Sequence, residues 1–128
     1  MYPTNQRYAP THEWARQDGS LIVVGITQYA VDLLTDLVYL DLPDVGENTF
    51  AGSSFGEVES VKAVSDLYAP VAGEVVEVNQ AVVSDPAVIA SDPYGAGWLV
   101  KIRPEAGATL DGLLTAEQYQ QQIASEAH

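Results

Sequence analysis

The sequence contains no cysteine, which excludes a disulfide framework, a thiolate metal centre, an iron–sulfur site and a cysteine nucleophile. Positive charge is nearly as scarce. Three Arg (7, 16 and 103) and two Lys (62 and 101) stand against 18 acidic residues, for a formal net charge of −13. A surface this acidic repels phosphate backbones and anionic bilayers, which argues against nucleic-acid and membrane partners. Apolar runs such as Leu21–Ile26 fall far short of the roughly 20 residues that cross a bilayer. Histidine is limited to His12 and the terminal His128. There is no Gly-x-Ser-x-Gly elbow and no His-Glu-x-x-His, so neither a hydrolase triad nor a zinc-protease helix takes shape. Met1-Tyr2-Pro3-Thr4 shows no basic region ahead of an apolar stretch and none of the character of a transit peptide. The expected address is the cytoplasm, or the mitochondrial matrix had a presequence been removed.

What is present describes an ordinary core. A chain of 128 residues that is 47% hydrophobic, with two Trp and seven Tyr, is expected to form one domain over 1–128. Leu21–Ile26 reads as a strand after Asp18-Gly19-Ser20. Thr27 then caps a short helix over about 28–35, where Ala30, Leu33, Leu34 and Leu37 recur at helical spacing. Val38, Leu40 and Leu42 alternate with Tyr39 and Asp41 as a half-buried strand would. Ser54 to Val64 reads as extended, with a turn or loop from Ser65-Asp66. Gly73–Asn79 is a valine-rich strand, Ser84–Gly97 an irregular connection, and Trp98–Ile102 a further strand. Thr115 and Gln118 make a capping box for a C-terminal helix, with Ser125–His128 as a fraying tail. Gly56-Glu57-Val58-x-x-Val61-Lys62 is echoed by Gly73-Glu74-Val75-x-x-Val78-Asn79 at a constant offset of 17. The expected class is mainly β, a sandwich or flattened barrel of small antiparallel sheets with short helices in the N-terminal third and at the C-terminus.

Chemistry concentrates at one place. In Glu59-Ser60-Val61-Lys62-Ala63-Val64-Ser65-Asp66 one of only two lysines stands among small and apolar neighbours, with carboxylates close in sequence. For an arbitrary lysine the ordinary reading is a loose surface ion pair contributing about 0–1 kcal/mol. A lysine at a hairpin tip, however, projects its stem and amine free of the sheet, which is what a covalently tethered group carrier needs. Glu57 and Glu59 on one strand face read as solvated carboxylates. Trp14 and Trp98 read as core aromatics, and Gly25, Gly73, Gly95 and Gly97 as turn and packing positions.

The sequence resembles the H proteins of the glycine cleavage system, lipoyl carriers of the biotinyl/lipoyl-attachment superfamily. The likeness runs from about Tyr8 to Tyr119. It is carried by Thr11-His12-Glu13-Trp14, Val24-Gly25-Ile26-Thr27, Glu59 to Asp66, Pro70-Val71-Ala72-Gly73-Glu74-Val75 and Asp92-Pro93-Tyr94-Gly95-x-Gly97-Trp98-Leu99. The lysine motif alone would indicate some lipoyl domain; the first and last of these motifs single out the H type. The resemblance implies lipoate as a covalent cofactor on Lys62, with Glu59 and Asp66 in the pattern that modifying enzymes read. It implies a carrier role rather than an enzymatic one. The dithiolane accepts an aminomethyl group from glycine at a pyridoxal-phosphate decarboxylase and delivers it to a tetrahydrofolate-dependent aminomethyltransferase. A flavin-dependent dihydrolipoyl dehydrogenase then reoxidises the dithiol. A lipoate-attaching enzyme completes the expected partners, and the carrier is expected to be a monomer. Glu13 and Asp66 are implied as carboxylates near a cleft that shelters the loaded arm, where an ammonium would welcome an anion. Two other readings stay open: a lipoyl or octanoyl donor to other lipoyl domains, and an unmodified H-like interaction module. Three positions depart from the family's habit. Thr35 stands where Gly often follows Leu, so a differently shaped helix end is expected. Ala90 stands where Asn is common, and Leu33 with Tyr29 makes the early helix apolar for a cleft wall.

Overall fold

The computed structural model describes residues 2–126. Strands β1 (Arg7–Tyr8), β2 (Glu13–Asp18) and β3 (Leu21–Ile26) lead into helix α1 (Gln28–Leu34). Then come β4 (Leu37–Asp41), β5 (Asn48–Thr49), β6 (Ser54–Ser60), β7 (Val64–Tyr68) and β8 (Gly73–Val78). Short helices α2 (Gln80–Ser84) and α3 (Ala87–Ser91) precede β9 (Val100–Pro104) and the C-terminal helix α4 (Ala116–Glu126). The strands form a six-stranded sheet in the order β1-β2-β3-β9-β8-β5 and a three-stranded sheet in the order β4-β6-β7. Every pairing is antiparallel. This is the sandwich the sequence implies; the sheets do not close into a barrel.

Alternation along the strands decides what each face meets. Ala15, Ile22, Val24, Val75, Val100 and Ile102 of the large sheet share one core with Leu40, Val58 and Leu67 of the small one. The opposite face of the large sheet is also covered. Trp14 and Val23 pack with Tyr8, Ala116 and Tyr119 beneath α4, which is why Leu21–Ile26 is apolar throughout. Gly25 is part of that arrangement, because a Cβ there would lie 2.6 Å from the Trp14 indole.

The caps expected at both main helices are present. Thr27 Oγ1 accepts from Ala30 N–H (3.2 Å), and Thr115 and Gln118 exchange bonds of 3.0 and 3.2 Å. Five local expectations need correction. Ser65 and Asp66 lie inside β7 rather than in a loop, because β7 pairs with β6 in register and the reversal falls earlier, at Val61–Ala63. A register shift between Leu37 and Tyr39 breaks the alternation of β4, turning Val38 outward while Leu37 and Leu40 are buried. The Ser84–Gly97 connection contains α3, which buries Ile89 between Pro86 and Pro93. Strand β9 starts at Val100 and runs to Pro104, leaving Trp98 and Leu99 ahead of it. Ser125 and Glu126 belong to α4, and residues 127–128 of the expected tail lie outside the described part.

The seventeen-residue echo has a shared physical basis. A Cβ on Gly56 would meet the Asp41 carbonyl at 2.2 Å, and one on Gly73 would meet the Arg103 carbonyl at 2.3 Å. Both glycines let a neighbouring backbone pass close. The echo diverges at its end, where Lys62 faces solvent. Its counterpart Asn79 is buried, caps α2 and donates to the carbonyls of Ala96 and Trp98.

Candidate functional site

Lys62 sits at the tip of the β6–β7 hairpin, exposed. The backbone of the tip is held rigidly. Ser60 N–H donates to the Ala63 carbonyl (2.8 Å), and Ser60 Oγ accepts from the N–H groups of Lys62 (3.3 Å) and Ala63 (3.1 Å). From the side, the Asp36 carbonyl accepts from Val61 N–H (3.0 Å). The Lys62 ammonium, by contrast, has no ion-pair partner among the described residues. Around it stand exposed apolar side chains, Val61 at 67% and Val64 at 58% exposure. The second lysine is different in every respect. Lys101 lies within β9, its Nζ 3.7 Å from a Glu77 carboxylate oxygen and 5.0 Å from the Trp98 ring centroid.

The hairpin's far end meets a cleft. Strand β7 carries the chain roughly 13 Å from the lysine turn to Tyr68. There a cavity of about 570 Å³ opens between the 9–11, 51–52, 68–70 and 109–113 segments, with Thr11, Tyr68 and Pro70 in its wall. Glu13 of β2 is 1% exposed, and its carboxyl is held by the β1–β2 turn and by β7. Thr11 Oγ1 donates to Oε1, and Tyr68 N–H of β7 donates to Oε2 (3.0 Å). Burial pushes the Glu13 carboxyl up to about 7, against the opposing effect of those two hydrogen bonds. Glu13 is thus a buried carboxyl with both oxygens hydrogen-bonded, and the two residues that bind it, Thr11 and Tyr68, also stand in the wall of the cleft.

Asp66 and Glu59 are not in that cleft. Both are exposed on the outer face of the small sheet, where Asp66 lies opposite Glu57 and Glu59 opposite Val64. Asp66 and Glu13 are linked only through Tyr68, whose hydroxyl lies 3.5 Å from an Asp66 carboxylate oxygen. Helix α1 is not in the cleft wall either. Leu33 is exposed and Tyr29 packs against the His12 ring, so their apolar character has no bearing there. Ala90 is an exposed residue of α3. Thr35 takes φ 65, ψ −129 as the C-cap of α1, a backbone glycine favours, so the helix ends as a glycine would end it and Thr35 bears the strain.

The model of the glycine cleavage H-protein family matches residues 6–126. This chain belongs to the glycine cleavage H-protein family. It is 54% identical over 118 residues to a glycine cleavage system H protein of a Synechococcus species, covering 92% of each chain. It is 48% identical over 127 residues to that of Gloeothece citriformis, covering 98% of this chain and 97% of the relative. Among solved structures, the crystal structure of a glycine cleavage system H protein from Mycobacterium marinum superimposes with a TM-score of 0.88. The two share 50% identity and cover 96% of this chain and 99% of the other.

Sequence reasoning missed the residues that hold the H-protein hairpin and cleft in place. Ser60 could have been found, since a Ser two residues before the lysine suits a side-chain-bonded turn. Asp36, which acts through its carbonyl, and Tyr68, which acts through its N–H, leave no trace in residue type.

Proposed function

We propose that this protein is the lipoyl carrier of a glycine cleavage system, with Lys62 as the acylated residue. The observation that carries this is the contrast between a turn whose backbone is tied by hydrogen bonds and the exposed amine it presents, which has no ion-pair partner among the described residues. The cleft suits the group as well, its wall being largely apolar at Ala9, Pro10, Ala51, Pro70 and Leu113, with Thr11 and Tyr68 linking it to Glu13, the one buried carboxyl among the described residues. Lipoate bound at Lys62 would supply the dithiolane sulfurs on which an aminomethyl group travels.

The chain's own part is positional and electrostatic. The Ser60 turn presents the lysine to each partner in the same orientation. The cleft excludes bulk water, and Glu13, protonated below about pH 7, gives up its proton when an ammonium is seated against it. Asp66 contributes through the outer face, together with Glu59, as an acidic approach to the tip. Expected partners are the pyridoxal-phosphate decarboxylase, the aminomethyltransferase, dihydrolipoyl dehydrogenase and a lipoate-attaching enzyme. None of the described helices is long and apolar enough to cross a membrane, and the cytoplasm is the proposed location. Acylation removes one positive charge from a net −13, so partners are expected to meet the carrier with basic surfaces and to lose affinity as salt rises.

The test is intact mass after expression with a lipoate-attaching enzyme. One lipoyl increment is expected, lost in Lys62→Arg and kept in Lys101→Arg. An adduct on Lys101, or none, overturns the assignment. Glycine-dependent bicarbonate exchange with the decarboxylase then separates the carrier from a lipoyl donor, which would be acylated yet inactive in exchange.

A further inference from the structure

Residues Ala9 to Glu13 join β1 to β2 in a tight turn. Ala9 N–H donates to the Glu13 carbonyl (2.8 Å), and His12 N–H to the Ala9 carbonyl (2.9 Å). The turn requires His12 to adopt φ 82, in the left-handed region that side chains other than glycine resist. His12 is one of two non-glycine residues with positive φ among those described, the other being Thr35.

The His12 side chain is anchored from the far end of the chain. Its Nδ1 lies 2.7 Å from the Tyr119 hydroxyl and its Nε2 lies 3.2 Å from Glu126 Oε1, both on α4. A carboxylate only accepts, so Nε2–H donates to Glu126, and in the neutral ring Nδ1 is then the acceptor for Tyr119 O–H. The Tyr119 oxygen then accepts from Thr27 Oγ1 (2.7 Å), and both of those residues are fully buried. Each hydroxyl and ring proton in this chain has one acceptor. Two further contacts reinforce it. Gln122 of α4 donates to the Pro10 carbonyl (2.8 Å), and the Tyr29 ring of α1 lies 5.0 Å from the imidazole. Thr11 and Glu13, the residues on either side of His12, bond to each other through their side chains, and Thr11 stands in the cleft wall.

We propose that His12 is a positioning residue. Clamped by Tyr119 and Glu126 of α4, it holds the Ala9–Glu13 turn in the left-handed shape that aims Thr11 and the Glu13 carboxyl at Tyr68. Helix α4 is thus a working part of the cleft as well as a cover for the large sheet. The consequence for cargo rests on the proposed role of Glu13; the positioning itself does not.

The decisive measurement is the titration of the Glu13 carboxyl by carbon NMR in the unmodified full chain. In Glu126→Ala, and more so combined with Tyr119→Phe, the turn relaxes and water reaches the carboxyl. Its midpoint is then expected to fall by about one pH unit or more from near 7. Glu126→Gln keeps an acceptor for Nε2–H and is expected to titrate as the wild type does. An unchanged midpoint in folded Glu126→Ala, a change at an exposed helix end, overturns the proposal even if Tyr119→Phe fails to fold. On the lipoylated, aminomethyl-loaded protein, both Glu126→Ala and Glu13→Gln are expected to shorten cargo retention several-fold. If Glu13→Gln leaves retention unchanged, the cleft reading fails while the titration still decides the positioning. If Glu13→Gln shortens retention but Glu126→Ala alters neither readout, the positioning fails alone.

Discussion

The two sheets place charged residues across their strands in contrasting ways: complementary pairs on one, like charges on the other. On the large sheet, cross-strand neighbours are complementary: Glu74 lies opposite Arg103 and Glu77 opposite Lys101, with ion pairs of 3.1 and 3.7 Å. On the small sheet, Asp41, Glu57 and Asp66 form a row of three like charges across β4, β6 and β7. All three are exposed, and none has an ion pair among the described residues. Four of the five basic residues, Arg7, Arg16, Lys101 and Arg103, lie on the large sheet; Lys62 alone sits on the small one. The large sheet pairs Lys101 and Arg103 with carboxylates of its own, whereas the small sheet carries a row of like charges with no cation paired to it among the described residues.

Glu13, at the seam between the sheets, gives the largest expected effect. Its folded-state pKa of about 7 lies above the ordinary value of 4.5. As pH rises between these values the unfolded chain releases its proton first, so stability present below about pH 4.5 is lost as pH climbs through 7. The loss is about 3 kcal/mol by pH 8. Glu13→Gln removes it. Urea unfolding is expected to find the variant equal to wild type near pH 4 and more stable by about 3 kcal/mol at pH 8. Parallel pH profiles for the two proteins would remove the buried carboxyl as the cause.

The difference between the sheets was only partly legible in the sequence. Strand positions, both helix caps and the lysine hairpin follow from periodicity, turn residues and capping pairs, which are local signals. The charge row was not legible, because Asp41, Glu57 and Asp66 become neighbours only through register across three strands. The resemblance implies a cleft near Glu13, but its walls were illegible for a related reason: they come from four distant segments, and Tyr68 meets Glu13 through a backbone N–H that any residue could supply. The reversal falls before Ser65 because the Ser60 hydroxyl closes the turn at Val61–Ala63, a contact that residue type alone signals weakly.

A middle-sized effect comes from the two strained residues that flank the functional region. His12 is repaid for its φ of 82 by two side-chain hydrogen bonds to α4. Thr35, at φ 65, bonds through its hydroxyl only to the adjacent Leu34 carbonyl. Thr35→Gly is therefore expected to stabilise the protein by about 1 kcal/mol, the relieved strain outweighing glycine's added chain entropy. His12→Gly is expected to destabilise it, since the same relief is bought with the loss of the clamp. Thermal unfolding of the pair checks this; a shift of the same sign in both would make backbone strain the sole determinant at the two sites.

The smallest effect is the most direct test of the two-sheet contrast. Neutralising Glu57 removes both like-charge contacts of the small-sheet row, whereas neutralising Glu74 removes an attractive contact of the large sheet. Because directly opposed charges contribute roughly 0.2–1 kcal/mol in either direction, Glu57→Gln is expected to raise stability by a few tenths of a kcal/mol and Glu74→Gln to lower it by as much. Both differences are expected to shrink in high salt, where exposed charges are screened beyond about 3 Å at 1 M. Function is expected to run the other way. Glu57→Gln lies on the outer face of the hairpin that carries Lys62, so it is expected to slow association with the proposed partners if they present basic surfaces, while Glu74→Gln is expected to leave that rate unchanged. A stabilising Glu57→Gln with no loss of association rate would mean that the row is repulsion without a purpose, and that recognition lies in the apolar collar of Val61 and Val64 instead.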